Sequence, residues 1–230
     1  MNESIDEVKD KVKNCNNEIL TMLNSSGIAE YFSIIKEVCV ALSDTLTPFN
    51  IIKSVYSLQN LINEKYKIIK IKKFLEQLKS NSITKQELEK YAKNNLKSKS
   101  DIKQEIEKVL YLLNFFNEEE KSEILGNLYV NLIKENISYN EFQTYSSILN
   151  TFIISDALTL KEIIEDPPTY QENYQKYHSI ARLESLGLVY RKDNFWRDTK
   201  DDLRFVAFED GLKFYNYGLK DFINNNKKLL

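Results

Sequence analysis

Residues 101–156 read DIKQEIEKVLYLLNFFNEEEKSEILGNLYVNLIKENISYNEFQTYSSILNTFIISD, and the alternation of apolar and polar positions in this stretch decides the fold class. Ile102, Ile106, Val109, Leu113 and Phe116 follow one another in steps of four and three, which lines them along one side of a helix. Asp101 with Gln104 is the expected cap of that helix. Asn117 and Glu120 are expected to cap a second helix reciprocally, with Ile124, Leu125, Leu128, Leu132 and Ile133 on its inner side. A third opens at Ile137-Ser138-Tyr139-Asn140-Glu141-Phe142, where Ser138 and Glu141 make a capping box and Ile137 can pack on Phe142 across the first turn. Phe142, Tyr145, Leu149, Phe152 and Ile153 are then expected to face the core.

The same order of residue types recurs at Ile83-Thr84-Lys85-Gln86-Glu87-Leu88 and at Leu158-Thr159-Leu160-Lys161-Glu162-Ile163, predicting two more helix starts. Each such cap stabilises its helix by about one kcal/mol. With 5 Gly and 3 Pro in 230 residues there is little material for tight turns, so a mainly α-helical protein is predicted. A formal charge of −2 gives no global attraction to nucleic acid or anionic membrane, so binding to either needs a local patch. Cys15 and Cys39 align with apolar neighbours and read as reduced core thiols of a cytoplasmic protein. His178 is the single histidine, and no Gly-rich phosphate loop, Cys/His cluster or nucleophile elbow occurs. No catalytic, cofactor-binding or metal-ligating set is therefore expected, and the chain reads as a non-enzymatic protein that acts by binding.

Outward from the central stretch, Ile5, Val8, Val12, Cys15, Ile19 and Met22 form a heptad stripe. It reads as one helix laid on the core, with a coiled-coil dimer seam as the alternative. Thr47-Pro48 restarts a helix, Pro48 falling at the first position, where its missing N–H has no partner to lose. Lys65, Lys67, Lys70, Lys72 and Lys73 form a basic run that would suit peripheral membrane contact, against the simpler reading of a solvated helix face. The polar stretch 89–100 reads as a helix end followed by a linker. Three regions are expected: N-terminal helices and linker over 1–100, a three-helix core over 101–156, and a further module over 157–230. The segment around Pro48, Lys72-Lys73-Phe74-Leu75 and the helix start from Ile137-Ser138 to Phe142 resembles helical proteins encoded among bacterial phage-defence genes, most nearly the Abi-alpha abortive-infection family. That resemblance covers 48–158 and implies a component of a phage-defence or mobile-element system.

Beyond Asp156 a short helix is expected from Thr159 to Glu165, then a longer one from Thr169 to Leu186 closed by Gly187. Leu188-Val189-Tyr190-Arg191 and Arg204-Phe205-Val206-Ala207-Phe208 read as the strands of one β-hairpin, with a last helix after Asp210-Gly211. The order of two helices, Leu183-Glu184-Ser185-Leu186-Gly187-Leu188, hairpin, and Phe208-Glu209-Asp210-Gly211-Leu212-Lys213-Phe214 resembles the winged helix-turn-helix over 155–220. The resemblance implies a recognition helix and a wing. If that helix buries Tyr177, Ile180 and Leu183, its opposite face presents Gln171, Gln175, His178, Arg182 and Ser185, types that suit base edges or a protein partner. Wing contacts would come from Arg191, Lys192, Phe195, Trp196, Arg197 and Lys200, but Asp193, Asp198, Asp201 and Asp202 offset the cations. The leading reading is a protein partner or self-association through this module. Duplex DNA binding by a regulator is the alternative, and a peripheral membrane-acting effector comes third. Deleting residues 1–24 should destabilise the monomer if the heptad stripe packs on its own chain. A dimer that becomes a well-folded monomer on this deletion, by sedimentation, would establish the coiled coil instead.

Overall fold

The computed structural model describes residues 61–81, 83–96, 98–166, 176–192 and 204–226. The heptad stripe, Cys15, Cys39 and the Thr47-Pro48 restart lie outside the described residues. Over the described residues the chain is mainly helical, with one two-stranded antiparallel sheet near its C-terminus. Two compact units divide between Phe142 and Gln143.

In the first unit the helices are α1 (Leu61–Ser80), α2 (Lys85–Asn95), α3 (Lys99–Phe115), α4 (Glu120–Ile133) and the start of α5 (Tyr139–Thr151). Ile124, Leu125, Leu128, Leu132 and Ile133 of α4 are all buried, as are Tyr129 and Val130 on its other sides, so α4 is enclosed all round and packs chiefly on α1. The ring of Tyr129 lies against Phe74 of α1, Tyr91 of α2 and Phe142 of α5, at centroid distances of 5.6, 6.3 and 5.7 Å. The hydroxyls of Tyr129 (2.6 Å) and Tyr91 both donate to Glu105 Oε1 of α3, so this one side chain is tied, directly or through Glu105, to every described helix of the unit.

Two of the expected capping boxes form. The Thr84 N–H donates to Glu87 Oε2 at 2.7 Å while the Glu87 N–H returns to Thr84 Oγ1 at 3.3 Å, and the backbone bond holds the Glu87 carboxyl below its usual range. Ser138 and Glu141 do the same at 2.7 and 3.2 Å, with Ile137 and Phe142 both buried. The others are corrected. α3 begins earlier than expected, with Ser98 Oγ accepting the Asp101 N–H at 3.2 Å, so Asp101 lies in the first turn. At α4 the cap position is Glu119, without a side-chain cap, and Asn117 stays outside the helix. Thr159 sits buried inside a helix that starts three residues before it. Ile153 follows the end of α5 and is exposed rather than facing the core.

The lysine run does not share one solvent face. Lys70 is buried and donates to the Phe116 carbonyl, and Lys73 pairs with Glu123 (3.1 Å) and Glu119 (3.5 Å) at the start of α4. Both cations are thus engaged within the unit, Lys70 by a backbone carbonyl and Lys73 by two carboxylates.

The second unit contains the rest of α5, α6 (Asp156–Glu165), α7 (Tyr177–Ser185), β1 (Val189–Lys192), β2 (Arg204–Ala207) and α8 (Glu209–Phe214). A π-helical turn, Tyr215–Leu219, leads from α8 into α9 (Lys220–Asn225). Its core gathers Tyr145, Leu149, Phe152, Leu160, Leu183, Phe214 and Phe222, with the Phe214 ring edge-on to Phe152 at 5.4 Å. In the π-helical turn the buried Tyr215 hydroxyl donates to Glu165.

Leu128→Ala and Phe152→Ala each remove a fully buried side chain and should cost about 2–5 kcal/mol through lost transfer energy and cavity formation. Thermal unfolding within a degree of the parent would refute the packing described. Alkaline pH probes Tyr215, whose phenol is raised well above its ordinary range by burial and then by Glu165. The folded state keeps this proton longer than the unfolded chain does, so the stabilisation is complete below about pH 10 and is lost as pH rises from there toward the folded value. Tyr215→Phe should therefore flatten the fall of stability above about pH 10 relative to the parent, as measured by denaturant melts.

Candidate functional site

The third helix of the second unit and the hairpin after it carry the expected interaction residues. α7 buries Ile180 and Leu183, as its periodicity requires. Tyr177, expected beside them, is instead 63% exposed and lies edge-on to His178 at 5.8 Å, because it occupies the first turn, ahead of the buried part of the stripe. The end of α7 forms as read. Gly187 takes φ +69°, its N–H reaches the Glu184 carbonyl at 2.9 Å, and the Leu188 N–H reaches the Leu183 carbonyl at 3.0 Å.

On the outer face, His178 and Ser185 are exposed, and the Ser185 hydroxyl donates to the Arg182 carbonyl at 2.7 Å. Arg182 is turned inward. Its Nε donates to Asp156 Oδ2 at 2.7 Å and its Nη2 to Asp156 Oδ1 at 2.5 Å, a two-bonded fork on a carboxylate with no exposed surface. Nη2 also donates to Ser179 Oγ at 3.2 Å. Hydrogen bonding to Asp156 raises the guanidinium further above its already high range. Lys176, just before α7, pairs with Glu162, so α6 and α7 are tied at two places, with Asp156 near the start of α6 and Arg182 near the end of α7. Gln171 and Gln175, and the expected wing contacts Phe195, Trp196, Arg197 and Lys200, lie outside the described residues.

The hairpin pairs Val189 with Ala207, Tyr190 with Val206, Arg191 with Phe205 and Lys192 with Arg204. Tyr190, Arg191 and Lys192 are exposed in succession, so β1 meets solvent on both faces. The Tyr190 ring lies 4.6 Å from that of Phe208, just beyond β2, and Leu212 follows one turn after Phe208 on the same side of α8. These three are 37%, 45% and 40% exposed. They form an apolar patch beside the hairpin that the reading of the sequence did not single out. Its signal in the sequence is Phe208 and Leu212 at a spacing of four, whereas Phe214 of the same segment is buried.

Among the described residues no group of three or more His, Cys, Asp and Glu side chains is placed to hold a metal ion, and no helix is long and apolar enough to cross a membrane. Comparison with protein-family models, with curated proteins and with solved structures finds no match for this chain.

Arg182→Ala would leave the Asp156 carboxylate buried without its partner. The cost should be about 3 kcal/mol, the low end for breaking a buried pair because the Arg182 side chain remains 40% exposed to water. Replacing both partners, Asp156→Asn with Arg182→Gln, should recover part of that loss. A single variant that unfolds within a degree of the parent would show that the pair does not hold α6 to α7.

Proposed function

We propose that this chain is a non-enzymatic interaction protein that binds a protein partner through its C-terminal unit. The observation that carries the reading is the clustered exposure of Tyr190, Phe208 and Leu212 beside the hairpin. Aromatic side chains with large apolar area and little rotamer entropy to lose are the usual anchors of protein interfaces. Arg182, the side chain of the expected face best suited to base edges, is engaged with Asp156 and so supports DNA reading less than its position in the sequence did.

A second reading is favoured by a different observation. The order helix, helix, helix, hairpin, helix in this unit supports a winged helix-turn-helix, with Arg191 and Lys192 exposed on the first strand of the wing. In that reading the chain is a DNA-binding regulator, with phosphate contacts from the wing and base contacts from the outer face of α7. A setting in phage defence rests on the Abi-alpha resemblance. A peripheral membrane role gains nothing from α1, where Lys70 and Lys73 are bound inside the first unit.

The two readings part in one set of measurements on the full chain. Phe208→Ser and Leu212→Ser should abolish partner capture from host lysate, or self-association by sedimentation, while leaving the unfolding midpoint within a few degrees. Lys192→Ala should leave that capture intact. Salt-sensitive, submicromolar binding to duplex DNA that weakens in Lys192→Ala and persists in Phe208→Ser would overturn the proposal in favour of the regulator.

A further inference from the structure

No further inference is drawn: the strongest candidate, the exposed apolar patch of Tyr190, Phe208 and Leu212 beside the hairpin of the second unit, belongs to the surface already described, and nothing in the structure shows what covers it.

Discussion

One residue, Leu188, joins three elements of the second unit. Its N–H closes α7 on the Leu183 carbonyl, and its carbonyl accepts the Phe208 N–H at 3.0 Å where the chain leaves β2. Gly211 of α8 lies directly on that same carbonyl, so close that a Cβ there would sit 2.0 Å from the Leu188 oxygen. Any side chain at 211 would have to displace backbone, which neither the hairpin nor the helix cap can easily give up. A buried backbone polar group left without a partner costs as much as a lost hydrogen bond, so the cap, the hairpin and the last helix are mutually constrained. Leu183 and Leu188, both fully buried, make the apolar contact that accompanies this kind of helix end. The position of the hairpin relative to α7 thus follows from a glycine at 187, a glycine at 211 and a leucine between them.

The first unit depends on a different device. Glu105 brings a carboxylate among aromatic rings, where its desolvation is offset because Tyr91 and Tyr129 both donate to one oxygen. Tyr129 can serve three helices with its ring and a fourth through its hydroxyl because it projects from α4, the helix that is enclosed on all sides. A Phe at 129 would keep the ring contacts and lose one donor to Glu105, whereas a Gln at 105 would keep a carbonyl acceptor for the two phenols and shed the charge. The helices of this unit are therefore held by packing and by several polar joints, of which the Glu105 carboxylate with its two phenol donors is the most central, and such joints select among packings that apolar contacts alone would tolerate.

Local signals in the sequence were reliable where both partners of an interaction lay within a few residues. The boxes at Thr84–Glu87 and Ser138–Glu141 and the glycine end of α7 involve neighbours in the chain, and each forms as read. Thr159–Glu162 has the same spacing and fails, because helix α6 begins at Asp156, whose carboxylate is bound by Arg182, 26 residues away. Nothing local to Thr159 carries that information. Asn117 also fails, α4 beginning after Glu119, which together with Glu123 pairs with Lys73 of α1, a residue distant in sequence. The same blindness to distant partners explains Lys70, read by its charge as a surface residue and placed by its stem and the Phe116 carbonyl in the interior.

The candidate surface was legible only in outline, and Arg182 shows why. Helical periodicity places it on the polar side of α7, beside His178 and Ser185, and an arginine there invites the inference of a nucleic-acid contact. Periodicity fixes the direction in which a Cβ leaves the helix but not the route of a long side chain, and a buried carboxylate on a neighbouring helix offers a guanidinium more than solvent does. The residues left facing water are then decided by what the fold does not use. Tyr190 is exposed on β1 together with Arg191 and Lys192, and Phe208 and Leu212 lie beyond the end of β2, where Gly211 meets the Leu188 carbonyl. Gly211 and the Phe208 N–H both meet the Leu188 carbonyl, so Phe208 and Leu212 flank the joint that holds this part of the unit and are left exposed beside it.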